Sequence, residues 1–514
     1  MSELLANAAN GLLQTLAPGL LLLILLGALG GMVIGSMPGL SATVGLALLL
    51  PITFTMDPVN GLVLMGAFYM GAIYGGSYTA ILVNAPGTPS SIATAFDGYP
   101  MTRQGRSEEA VIAVTIASLF GGVIGVVGLI FFGPLLAEFV LNFGSQEYFW
   151  IGIFGLTIIA SLAARSLIKG LVGGFIGLLI ATIGIAPVGG GERFTFGFLP
   201  LQGGIDLIVA LIGFFTIPAV IDMIVDPGSR TAEMIETDRA SRGSVLGPTI
   251  RRVLSRPWNL IRSSIIGTVV GAMPGAGGNV ANLVSYNEAK RASKHPERFG
   301  KGEIDGVVAP EGANNAVVGG GLIPLLTLGI PGAPPDAVIY GVLVLHGLRP
   351  GNDLFTSQAD LTFTFMAAIG IAAIVMVPVG LVAGRAVQRA VVGMPTRYLA
   401  PGIIVLTIVG AYAVRNNVID VVFMLLLGFL GYALRYIGIQ PSTIVLGIVL
   451  GPIIEEGMVQ GVLSTDRSMP WVSFFTDPLS LVIIALIVVG AAGPTLASRL
   501  RRDQRTGEEE GEQE

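Results

Sequence analysis

The chain has no cysteine and only two histidines among 514 residues, and charged side chains make up just 12 % of it. Without cysteine there can be no disulfide framework, thiolate chemistry or iron–sulfur ligation. His295 and His346 stand far apart, in no HExxH-like pattern, which argues against a zinc or haem enzyme. Soluble domains carry about 25 % charged residues, so the charge content here is about half the norm. What takes its place is apolar: 53 % of the residues, with a mean hydropathy of +0.79. Charge-free windows such as Ala17–Pro38 are long enough to cross a bilayer as helices. The composition is that of a polytopic membrane protein. The first residues, MSELLANAANGLL, hold no lysine or arginine, which speaks against a cleaved signal peptide. The formal charge of −5 is uninformative, because part of it lies in the solvated tail GEEEGEQE.

Lysine and arginine fall in clusters between the apolar segments, including seven arginines between Arg230 and Arg262 and five basic residues between Lys290 and Lys301. Threading the segments so that these clusters face the cytoplasm accounts for 24 of 28 basic residues and leaves Arg193, Arg349, Arg415 and Arg467 outside. This predicts a periplasmic N-terminus and a cytoplasmic C-terminus. It also divides the chain into a first repeat at 1–225, a cytoplasmic linker at 226–257, a second repeat at 258–497 and a disordered acidic tail at 498–514.

The division into repeats comes from two matches. GMVIGSMPGLSATV at 31–44 and GTVVGAMPGAGGNV at 267–280 agree at 7 of 14 positions. GGSYTAILVNAPGTP at 75–89 and GGLIPLLTLGIPGAP at 320–334 share GG and the PGxP core. The first copy begins outside and the second follows a cytoplasmic linker, so equivalent elements would enter from opposite sides. Inverted-topology repeats of this kind are a mark of secondary transporters. Residues 41–54 would span roughly 21 Å as a helix, short of the ~30 Å hydrocarbon core, which favours re-entrant hairpins.

Irregular backbone survives at membrane depth only where it is buried in protein or lines a cavity. At a Pro-Gly break the helix N-termini attract anions, while carbonyl, hydroxyl and amide oxygens attract small cations. Substrate contacts are accordingly assigned to Pro38, Gly39, Ser41 and Thr43; to Asn84, Pro86, Gly87 and Thr88; to Pro274, Gly275, Gly277 and Asn279; and to Pro331 and Gly332. A coupling cation is assigned to Asn282, Glu311, Asn314, Asn315 and Asp336, since an acidic group at membrane depth costs some 2.5–3.5 kcal/mol and implies use. Sodium and protons both suit these ligands. Asp97 reads as a turn cap, and Asp206, Asp222 and Asp420 as interfacial. No nucleophile–base pair supports catalysis, so the chain is expected not to be an enzyme. Nothing implies a cofactor beyond the coupling ion or a metal beyond sodium, and no feature points to nucleic acid.

The stretches GSMPGLSATVGLALLLP, YGGSYTAILVNAPGTPSSIATAFDGYPM, GERFTFGFLPLQGGID, GAMPGAGGNVANLVSYNEAKR and APEGANNAVVGGGLIPLLTLGIPG resemble the large membrane subunit, TctA, of the tripartite tricarboxylate transporters. The resemblance implies a permease of the bacterial inner membrane that works with a small membrane subunit and a periplasmic solute-binding protein. It further implies uptake of a carboxylate, citrate above all, on an ion gradient, commonly of sodium. The expected fold is an all-α polytopic membrane protein with two inverted-topology repeats. Each would hold Pro-Gly-broken helical hairpins and several transmembrane helices. A homodimer is compatible with the small-residue helices, and an anion channel or pore subunit is the alternative function.

Overall fold

In hydrocarbon a backbone must satisfy its own N–H and C=O groups, so the apolar runs become helices. The computed structural model describes residues 2–37, 40–163, 166–225, 242–392, 396–465 and 469–491. Among the described residues the regular structure is helical, apart from one two-stranded hairpin pairing Gly184–Ile185 with Glu192–Arg193. Seven described helices are long and apolar enough to cross a membrane. The chain is an all-α polytopic membrane protein.

The first copy comprises α1 (Ser2–Thr15), α2 (Pro18–Gly35), α3 (Ala42–Leu49), α4 (Pro58–Val83), α5 (Ile92–Arg103), α6 (Ser107–Val140), α7 (Ser145–Ala163), α8 (Leu167–Ala181) and α9 (Leu207–Val225). After α10 (Arg242–Leu254), which falls in the segment read as linker, the stretch read as the second copy holds α11 (Pro257–Gly271), α12 (Gly277–Ala292), α13 (Asp305–Leu328), α14 (Pro334–Leu345), α15 (Asn352–Phe355), α16 (Ala359–Val392), α17 (Thr396–Arg415), α18 (Val418–Tyr436) and α19 (Pro441–Leu463). From α2 and from α11 onward the order is the same: helix, break, short helix, long helix, break, short helix. A 34-residue helix comes next, α6 directly in the first and α16 after the one-turn α15 in the second. Proline at the first turn, where its missing N–H is no loss, opens α2, α4, α11, α14 and α19.

Two compact units cut across these copies: Met1–Leu141 with Asp206–Tyr432, and Asn142–Ile205 with the chain from Ala433 onward. Within the first unit, α2 packs on α4 and α11 on α13, while the long helices trade partners, α4 against α16 and α13 against α6. The last helix of the first copy, α9, packs with α17 of the second. In the second unit, α7 and α8 of the first copy pack with α19 of the second.

Glycine permits the closest of these contacts, as small residues do where helices meet in membranes. A methyl on Gly125 of α6 would fall 2.5 Å from the Ala316 carbonyl of α13, and one on Gly27 of α2 would fall 2.7 Å from the Leu64 carbonyl of α4. A hydroxyl cluster ties α4 to its neighbours: Tyr74 bonds Thr115 of α6 (2.7 Å) and Tyr78 (2.8 Å), and Tyr78 donates to the Gly380 carbonyl of α16 (2.8 Å).

Two segments gain detail. The segment read as linker becomes helix from Arg242 and packs on α6, where Arg252 meets Glu109 at 2.8 Å. Residues 226–241 and the tail at 498–514 lie outside the described residues. Asp420, read as interfacial, is buried and ion-paired with Arg415, so its charge is compensated within the protein.

Candidate functional site

The four breaks form two adjoining pairs within the first unit. In the first copy, α4 stops at Asn84, whose left-handed φ of +54° ends the helix with an amide side chain that tolerates that backbone. The chain then folds back, and the Gly87 N–H donates to the Gly76 carbonyl of α4 (3.2 Å). Gly87 also presses on the last carbonyl of α2, at Gly35, where a side chain would not fit. In the second copy, α13 stops at Gly329 with φ +73°, and Gly332 lies against the last carbonyl of α11, at Gly271. The two breaks of this copy are joined directly, the Gly275 N–H donating to the Gly332 carbonyl at 2.8 Å.

A polar cluster grows where the first copy's second break meets α12 and α13. Thr88, Ser90 and Ser91 share hydroxyl bonds of 3.1 and 3.2 Å, and all three are buried. Asn314 of α13 donates to Ser91 at 3.4 Å, and Glu311, one turn earlier, accepts from Thr94 of α5 at 2.5 Å. Gly278 in the first turn of α12 closes the cluster. A methyl there would lie 2.6 Å from Asn314 Oδ1 and 2.7 Å from Ser90 Cβ. Asn282 is spent on holding α5: its carbonyl accepts from the Ala93 N–H (2.7 Å) and its amide reaches Thr94 (3.4 Å). One residue on from Asn314, and one turn on from Glu311, Asn315 donates to Met70 Sδ of α4 at 3.3 Å.

At the fourth break Asp336 caps the helix it opens, one oxygen accepting from the Ala333 N–H at 2.7 Å. Tyr69 of α4, fully buried, stands beside the same carboxylate, and Gly321 packs against it. Glu311, Asn314, Asn315 and Asp336 are all buried, and each keeps one oxygen without a hydrogen-bond partner: Oε2, Oδ1, Oδ1 and Oδ1 respectively. In a native interior nearly every such atom is paired, so four in one region invite a ligand.

The residues singled out in the sequence separate into three groups. Thr88, Pro274, Gly275, Gly277, Asn282, Glu311, Asn314, Asn315, Pro331, Gly332 and Asp336 lie in or against the two pairs of breaks, as does Gly87. Asn84, Pro86 and Asn279 are there too, but Asn84 and Asn279 are exposed and Pro86 half-buried, so they face outward from the cluster. Ser41 is taken up in capping α3, accepting from the Val44 N–H at 3.2 Å, and buried Thr43 follows it on a helix that packs against α9. Pro38 and Gly39 lie outside the described residues. Sequence reasoning missed Thr94 and Tyr69. The signal for Tyr69 was present: carrying the second repeat match one turn upstream sets it opposite Asn314.

Comparison with known proteins adds the following. The profile of the family described as Tripartite tricarboxylate transporter TctA family matches residues 21–446. An uncharacterised 52.8 kDa protein of Agrobacterium vitis, from the region 3′ of ttuC′ in TAR-I, is 37 % identical over 504 residues, covering 97 % of this chain and 98 % of its own length. A second uncharacterised protein of that organism, from the corresponding TAR-II region, is 37 % identical over 242 residues, 46 % of this chain and 98 % of its own length. No solved structure matches.

Proposed function

Since this chain belongs to the TctA family of tripartite tricarboxylate transporters, we propose that it is the permease that carries a tricarboxylate or related carboxylate across the bacterial inner membrane on a cation gradient, sodium first among candidates. It is a carrier and not an enzyme. It takes its substrate from a periplasmic binding protein and works beside a small membrane subunit. The N-terminus is periplasmic and the C-terminus cytoplasmic, as the basic clusters predict. The two copies are inverted with respect to one another, and their relative movement exposes the site to either face in turn.

The observation that carries this reading is the polar, partly unpaired cluster built from both copies at helix breaks. Helix N-termini at α12 and α14 supply N–H groups for an anion, with Asn84 and Asn279 outward of the buried oxygens. Buried carboxylates and amide oxygens supply the cation partners. A channel would need no such acceptor-only oxygens at its break, and it could not concentrate a substrate.

The test is uptake of labelled citrate into proteoliposomes holding this chain and its small subunit, with the binding protein outside and a sodium gradient directed inward. Concentrative uptake that collapses with the gradient, and is lost in Asn279→Ala, supports the carrier and the site. Uptake that only equilibrates would make the chain a channel.

A further inference from the structure

Five buried carboxylates stand among the described residues: Asp97, Glu147, Glu311, Asp336 and Asp420. Three are fully engaged. Asp97 accepts from the N–H groups of Gly300, Gly302 and Glu303 and from the Tyr286 hydroxyl. Glu147 accepts from the Gly144 N–H and the Ser480 hydroxyl, and Asp420 is held by Arg415. Only Glu311 and Asp336 keep an oxygen with no partner. No lysine or arginine is buried among the described residues, so neither carboxylate has a protein cation to offset its charge. The further unpaired atoms near Glu311, Asn314 Oδ1 and Asn315 Oδ1, are acceptors as well. Buried carboxylate and amide oxygens with acceptor capacity left over are the ligand type a hard cation takes.

The internal repeat sets the two carboxylates at non-equivalent positions. The second repeat match has an offset of 245 residues, from Gly75 to Gly320. At that offset Ser91 corresponds to Asp336, Tyr69 to Asn314 and Gly66 to Glu311. The contact between Ser91 and Asn314 is therefore the counterpart of the contact between Asp336 and Tyr69. Met70 and Asn315 are counterparts of each other, and they touch. A residue that meets its own equivalent marks where an approximate two-fold passes, and the two pockets lie to either side of it. Each pocket has one carboxylate, supplied by the long helix in one (Glu311) and by the short helix in the other (Asp336).

We infer that each half holds its own monovalent cation, one at Glu311 with Thr94, Ser91 and Asn314, the other at Asp336 with Tyr69, and that both must be loaded before a carboxylate anion is accepted. An anion approaching two uncompensated buried carboxylates is repelled, and two bound cations remove that repulsion. The loading order rests on the carrier reading above; the number of cations does not.

The purified full chain, without partners or substrate, can be melted while sodium chloride replaces choline chloride at constant ionic strength. Two sites that bind only the folded state predict a limiting stabilisation of about two sodium ions per molecule by linkage. Glu311→Gln and Asp336→Asn each reduce this to about one, and the surviving step shows that each variant is folded. The double variant loses sodium dependence. A wild-type value of one, melting indifferent to sodium, or complete loss in both single variants overturns the two sites. Citrate added last should stabilise the wild type only with sodium present, and neither single variant at all. Two sodium steps with no effect of citrate or any other carboxylate would overturn the loading order and count against the carrier reading, with the cation sites standing.

Discussion

Asp97 and Glu311 lie on neighbouring helices and are equally inaccessible to solvent, yet their surroundings differ completely. Asp97 is wrapped by three backbone N–H groups and a tyrosine hydroxyl, all between 2.8 and 2.9 Å. The N–H donors come from the segment between α12 and α13 and the hydroxyl from Tyr286 of α12, so the carboxylate ties α5 to both. Glu311 has one threonine hydroxyl on one oxygen and nothing on the other. A buried charge that is fully hydrogen-bonded belongs to the architecture, and one left partly bare keeps capacity for something that comes and goes.

Removing the saturated carboxylate should do the most damage. Asp97→Ala strands four donors, and we expect a loss of about 3–5 kcal/mol, read as a collapse of the melting temperature in detergent. Wild-type stability in this variant would break the comparison at its structural end. Glu311→Gln should do the reverse. Uptake driven by the cation gradient falls about 100-fold, the worth of one charged contact, while the melting temperature without sodium holds or rises because an unpaired buried charge is gone. Equal loss of stability in both variants would erase the distinction.

Gly278→Ala probes the space between the two regions. Its methyl would crowd Asn314 Oδ1 and Ser90, and we expect sodium affinity to drop about tenfold while the fold tolerates a small overpacking cost. Asn84 should prove the mildest position. With φ at +54° the residue serves as a helix stop, so Asn84→Gly should change stability by no more than about 0.5 kcal/mol, whereas Asn84→Val should cost about 1–2 kcal/mol. Unfolding midpoints of the pair decide it. If Asn84→Gly folds normally but loses uptake, the exposed amide touches the substrate.

Much of the fold can be read locally. Apolar runs mark the crossings, Pro-Gly marks the breaks, and the membrane cost of Glu311 and Asp336 singles them out before any contact is known. Partners are another matter. Glu311 meets Thr94 across 217 positions, and no periodicity or propensity carries that information. Asn84 and Asn315 look alike in sequence, both amides beside glycine-rich helix, but one answers a backbone requirement and the other is buried against Met70. That Arg415, five residues earlier, covers Asp420 is likewise absent from the sequence pattern. The trading of partners between copies was equally hidden, since similarity between two segments does not say which of them will touch.

The contact of Asn315 with Met70 has a consequence for the resting state of a carrier. Two identical halves, related by a two-fold across the membrane, would make the inward-open and outward-open forms mirror descriptions of one structure, with equal energy and equal population. Here Asn315 in one copy corresponds to Met70 in the other, and Asp336 to Ser91. Those differences lift the degeneracy. If the chain is the carrier proposed above, the face on which an empty molecule waits is set by the few positions where the copies have diverged, and exchanging Asn315 with Met70 is the smallest edit that would begin to erase it.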